Sequence, residues 1–367
     1  MKKEDIDKIK NEISSVSQIE IVEIASETLR RVTDFASTLY KRVDKTIDFV
    51  WTEDSKSTAS ARHISDTSDR VVFSYLFAIG LYRDARLLSR LARTHFCDPK
   101  YKQIFGELSS DRLGVLPAGC SEEKCSQLMF EATLEWVFFH EMAHLSQGHI
   151  GIRESFDPEA TTGVIEEMRA SDATPLRGRA ALISHVTEIV ADHEGLVIWL
   201  QYRSLLNQGI IPYADVYMGI CGMTCLFNKF YGSTSEGFNS EPEGSHPDSA
   251  MRWELLLTAF YGYFLDDRVR HRFPDWRYDK DELLMRLTEA NALANLHWIM
   301  CHGRRANDPL SFISVAKLEN PTARKYLQHI VPTLQEITPK IEAQYIFPTK
   351  PAVPIFTDEW MSRINEV

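Results

Sequence analysis

The feature that most restricts this chain is the run from Gln127 to Gln147, QLMFEATLEWVFFHEMAHLSQ. Its apolar density predicts a helix set deep in the core. Ser121 suits the N-cap, Glu122 and Glu123 suit the first turn, and Gly148 suits the stop. Inside this apolar helix stand His140, Glu141 and His144, which are costly to bury unless they are paired or liganded.

Their spacing is H-E-x-x-H. Residues four apart lie on one helix face, so two imidazoles can take two corners of a zinc tetrahedron. Glu141, one step to the side, can accept a proton from a water that the metal acidifies. A catalytic zinc needs a third protein ligand and an open fourth position. The second strong helix, Arg177 to Leu206, offers Glu188 as that ligand. Asp192, one turn on, can accept the N–H of a ligating imidazole and fix its tautomer. Gly195 lies on the same face and lets the two helices approach closely. His149, His185 and His193 remain rivals for the third ligand position on residue type alone.

Three ordered segments, HEMAHLSQGH, EIVADHEG and GSHPDSAMRW, resemble the signatures of gluzincin zinc peptidases related to HtpX and the CaaX prenyl endopeptidases. The likeness covers roughly residues 130 to 255 and rests on His140, Glu141, His144 and His149, then Glu188, Ala191, Asp192 and Gly195, then His246, Pro247 and Arg252. It implies one zinc held by His140, His144 and Glu188, Glu141 as general base, and His246 near the reacting carbonyl. Arg252 would hold a nearby carboxylate or touch the substrate. It also implies a small sheet whose edge strand binds peptide, with Thr58–Ala61 as the candidate. Pro247 suits the first position of a helix.

The predicted fold class is mainly α (α+β): a helical zincin-type domain with a small β-sheet and helical additions at both ends. The expected division is an N-terminal helical segment (1–50), a metallopeptidase domain (51–265, motif core 121–255) and a C-terminal helical region (266–367) ending in an extended, Pro-containing tail. A short strand is expected at Ser60–Ile64. Residues 71–82, VVFSYLFAIGLY, fit either a strand or a buried helix. Residues 151–175 read as a long irregular connection, and residues 231–247 as a Gly/Ser/Glu/Pro loop.

A formal net charge of -11 and the lack of a dense Lys/Arg run disfavour nucleic acid and anionic membranes as partners. The start of the chain has no apolar core of a secretory signal. The apolar stretch Val216–Phe227 is shorter than the roughly 20 residues of a membrane span. The expectation is a cytoplasmic protein with reduced cysteines. The leading expectation is an endopeptidase acting on protein or peptide. The alternatives are a gated host-defence protease of the phage-exclusion kind, and a zinc-stabilised binding module without turnover.

Overall fold

The structure, a computed structural model, describes residues 3–54, 58–96, 115–156, 164–166, 176–231, 239–266, 280–302 and 320–366. Two amphipathic helices open it, α1 (Lys3–Ser14) and α2 (Gln18–Tyr40). Three strands follow: β1 (Thr46–Thr52), β2 (Ala59–Ser65) and β3 (Ser68–Ser74). A fourth, β4 (Val164–Glu166), arrives later in the chain. The sheet order is β1-β3-β2-β4, with β1 parallel to β3 and the other pairs antiparallel. The mainly α (α+β) class is what the structure shows.

Local chemistry sets several boundaries. Residues 71–82, which fit either element, are both: β3 ends at Ser74, whose hydroxyl accepts the Phe77 N–H and starts α3 (Tyr75–Thr94). The helical expectation for residues 1–50 fails from Thr46 onward. There Ile47, Phe49 and Trp51 alternate as one side of β1, and cross-strand pairing overrides local preference. Pro247 is not the first helical residue. It precedes Asp248, whose carboxylate caps the Ala250 and Met251 N–H groups. The extended tail carries a short helix at Asp358–Asn365, capped by Thr357.

The centre is a helix pair, α4 (Glu122–Ser146) and α5 (His149–Phe156) joined by Gly148 at φ +64°, against α6 (Gly178–Leu206). Thus residues 151–156, expected within the irregular connection, belong to a helix that starts at His149 and joins the site. Ser121 caps α4 by accepting the Lys124 N–H. From Cys125 to Ser146, every residue of α4 but Gln127 is buried, because α2, α3, α6, α7 (Tyr213–Tyr231) and the sheet surround it. The chain ends with α8 (Ser249–Leu265), α9 (Lys280–His302), α10 (Pro321–Gln344) and α11 (Asp358–Asn365). α9 packs on α7, and α10 covers α6.

Helices α4 and α6 run antiparallel, as the pairing of His144 with Glu188 at one end and Glu135 with Trp199 and Arg203 at the other requires. Gly195 lets them meet. A Cβ there would stand 2.9 Å from the His140 nitrogen and 3.0 Å from its Cα. Arg203 binds Glu135 at 2.7 Å, and Trp199 Nε1 donates to Glu135 at 3.1 Å. Burial pushes the Glu135 carboxyl up to about 7 against the pull of Arg203. Each of these groups is satisfied in one relative sliding position of the helices, so the network helps fix their register.

Thr58–Ala61 does not form the sheet edge. β2 is flanked by β3 on one side, and its Ser60, Ala61 and Arg62 pair with Glu166, Ile165 and Val164 of β4 on the other. β4 takes the outer position because the chain after α5 returns to the sheet. Among the described residues no helix is long and apolar enough to cross a membrane.

Candidate metal centre

On α4, His140 and His144 face the same way because they are one helical turn apart. Their Nε2 atoms lie 3.1 Å from each other. The Glu188 carboxylate of α6 meets them, Oε2 at 3.5 Å from His140 Nε2 and Oε1 at 3.4 Å from His144 Nε2. For metal–ligand bonds of about 2.0–2.2 Å, the corners of a tetrahedron are about 3.3–3.5 Å apart. Each imidazole meets a different oxygen of the Glu188 carboxylate at about that spacing, and the two imidazole nitrogens lie slightly closer than it. Among the described residues they are the group of ligand atoms close enough together to hold an ion.

The imidazoles are prepared for this role from behind. His140 Nδ1 lies 3.0 Å from Asp192 Oδ1. His144 Nδ1 lies 2.9 Å from His149 Nδ1 at the start of α5. If each Nδ1 carries the ring proton, Nε2 turns its lone pair toward the shared centre. Burial pushes the His144 imidazole down to about 4 despite the neighbouring Glu188, and pushes His149 well below its ordinary value. Both are neutral at physiological pH, the state in which imidazole binds metal.

Two arginines brace the carboxylates. Arg252 of α8 makes a two-pronged contact with Asp192, Nε to Oδ2 at 2.9 Å and Nη2 to Oδ1 at 2.7 Å. The same Nη2 is 3.3 Å from Glu188 Oε2. The side chain is 2% exposed. Arg153 of α5 donates to Glu188 Oε1 at 2.6 Å, to Thr187 Oγ1 at 2.8 Å and to the Ser184 carbonyl at 3.3 Å. Burial alone would raise the Glu188 carboxyl. The neighbouring His246 and His144 instead hold it well below the usual carboxylate range. The buried carboxylates of Glu188 and Asp192 thus stand close to the two arginines, and that of Glu141 is buried as well. Buried carboxylates are costly unless paired, and a divalent cation would be one such partner.

The structure brings His140, His144, Glu188, Asp192, His246 and Arg252 to one place, and Glu141, next to His140 on α4, is buried. His246 stands at its rim, Nε2 3.6 Å from Glu188 Oε1, and is 17% exposed. Its loop is pinned. The Ser184 hydroxyl donates to the Ser245 carbonyl at 2.7 Å, the Gly244 N–H donates to the Leu176 carbonyl at 2.8 Å, and Ser245 Oγ reaches His246 Nδ1 at 2.9 Å. Of the rival ligands, His149 sits behind His144, His185 turns to the Tyr326 hydroxyl at 3.0 Å, and His193 lies on the far side of Asp192. Sequence reasoning misses Arg153 and Thr187. The available signal is slight: Arg153 lies four residues after His149, so both share a face of a short helix.

Such a cluster could hold a metal ion. No known protein family, curated protein or solved structure matches this chain.

Proposed function

We propose that the chain is a zinc-dependent peptidase in the cytoplasm. The convergence of His140 Nε2, His144 Nε2 and the Glu188 carboxylate carries the reading, because two imidazoles and a carboxylate are a donor set that suits zinc. Zinc bound there would act as a Lewis acid and make water acidic enough to ionise near neutral pH. Glu141, beside His140 on α4, accepts the proton of the attacking water and passes it to the leaving amine. Asp192 keeps the His140 ring oriented. Arg252 keeps Asp192 and Glu188 in place. His246 donates a hydrogen bond to the oxyanion as the carbonyl becomes tetrahedral.

The gated form of this reading has its own support. His140, Glu141, His144 and Glu188 are each 0% exposed, so a peptide reaches them only after covering chain moves aside. Activity then depends on a trigger.

Metal analysis of the purified protein, with hydrolysis of an unfolded protein substrate by wild type and Glu141→Gln, tests the proposal. The expected result is about one zinc per chain in both, and hydrolysis in wild type alone, since an amide cannot take the proton. A wild-type protein that neither carries nor takes up zinc refutes it. Zinc uptake without hydrolysis under any opening condition assigns the site to a binding module.

A further inference from the structure

A cavity of about 520 Å³ lies beside the metal cluster, between α6 and α8, under the chain at residues 354–360. Its walls include Leu196, Leu200, Leu256, Ala259, Phe356 and Trp360. None of the three metal-facing donors lines it, nor do Glu141 and His246, but Asp192 and Arg252 do. The pair that orients His140 on one side is therefore part of the cavity on the other.

The lining selects an occupant. Most of the wall is aliphatic or aromatic, with Asp192, His193, Arg252, Thr258, Asp266 and Thr357 as its polar members, and pockets of this volume suit small organic ligands. One polar group has no hydrogen-bond partner among the described residues: the imidazole of His193, next to Asp192 on α6. Burial pushes this imidazole down to about 4, though Asp192 draws it up, so it is neutral and offers one donor and one acceptor. An anionic head group would lie against Asp192. A cationic one would lie against Arg252, whose own charge is already shared between Asp192 and Glu188. A hydroxyl meets neither objection. It accepts from or donates to His193, and it can donate to Asp192.

We propose that this cavity binds a neutral amphiphile, an apolar chain ending in one hydroxyl, and that its occupancy weakens metal binding through Asp192. The coupling rests on the metallopeptidase reading; the binding itself does not. A hydroxyl donating to Asp192 competes with the His140 Nδ1–H for the same carboxylate. The imidazole then becomes a poorer ligand, by roughly the 10-fold lower bound for loss of such support. A molecule of this class is one chemical means of regulating the buried centre.

Gly262 makes the test clean. It lies on α8 in the cavity wall, and a Cβ added there meets nothing within 4 Å. Gly262→Leu fills the space without displacing the backbone. Titration calorimetry on the full-length protein uses decanol as probe, with decanoate and decylamine as charged counterparts, in zinc-loaded and zinc-free forms. Saturable binding of decanol at one per chain, with Kd of about 1 mM or tighter, is expected in wild type and absent in Gly262→Leu. Decanoate and decylamine should bind at least about 10-fold more weakly. Decanol should weaken zinc about 10-fold, and zinc should weaken decanol by the same factor, since binding coupling is reciprocal.

No saturable decanol binding, or equal binding to Gly262→Leu, overturns the cavity assignment. Tighter binding of either charged probe overturns the neutral head group. Competitive displacement of decanol by peptide substrate makes the cavity part of the substrate cleft and overturns its regulatory role. Decanol binding with unchanged zinc affinity overturns the coupling. Decanol binding in a protein that takes no zinc at all sinks the metallopeptidase reading and leaves the binding cavity standing.

Discussion

Gly195→Ala puts the helix contact at the metal centre under direct test. The added methyl carbon would stand 2.9 Å from the His140 nitrogen, 3.0 Å from its Cα and 3.3 Å from the Phe139 carbonyl carbon. These are backbone atoms of a buried helix, so no side chain can swing aside. Restoring an ordinary carbon contact of about 3.5 Å requires α6 to retreat from α4 by about 0.5 Å. Overpacking of this kind costs about 1–3 kcal/mol, and the better helix propensity of alanine returns about 1 kcal/mol. A net loss of up to about 2 kcal/mol follows. The metal suffers more. Glu188 lies two turns from Gly195 on the same face, and metal sites tolerate ligand shifts of only about 0.2 Å. Zinc affinity should fall about 10–100-fold, as when support for a ligand is disturbed. Chelator competition reads the affinity, and urea unfolding of the zinc-free protein reads the stability. A Gly195→Ala protein that gains about 1 kcal/mol and holds zinc like wild type would show that the helices do not touch as described, and the argument would fail.

Other perturbations separate the roles around the cluster. Glu188→Ala should abolish tight zinc binding, whereas Asp192→Ala should weaken it by about 10–100-fold, both read by chelator competition; equal losses would place Asp192 among the direct ligands. His246→Ala should keep zinc and KM while kcat drops about 10²–10³-fold, and an unchanged kcat would make it a structural residue. Arg153→Met removes the donor to Glu188 Oε1 and should lower zinc affinity with little change in fold, measured by the same competition. For His185, burial pushes the folded imidazole down to about 3, below its unfolded value of about 6.5. Its stabilising contribution is complete above about pH 6.5 and is lost as pH falls from there toward the folded value, because the unfolded chain binds the proton first. The slope from this one group is about 1.4 kcal/mol per pH unit. His185→Asn should flatten the acid limb of stability in the zinc-free protein by that amount, and an unaltered limb would contradict it.

The sequence by itself determined the two core helices and most of the cluster they carry. Helical periodicity is a local property. Four-residue spacing therefore puts His140 with His144, and Glu188 with Asp192, on common faces before any tertiary contact is known. Ser121, Gly148 and the apolar density of residues 127–147 mark α4 for the same reason. Local signals could not decide the residues that enter the site from other elements. Arg153 becomes a partner of Glu188 only because Gly148 turns the chain, so that α5 lies across α6. His149 stands behind His144 by the same turn. Arg252 faces Asp192 from a helix sixty residues away in sequence, a distance that spacing rules do not bridge. β1 is likewise a strand because β3 pairs with it, and β2 lies inside the sheet because β4 returns to cover it. Backbone hydrogen bonding and burial of charge are constraints on the tertiary arrangement rather than on single segments. They choose among local possibilities that single segments leave open.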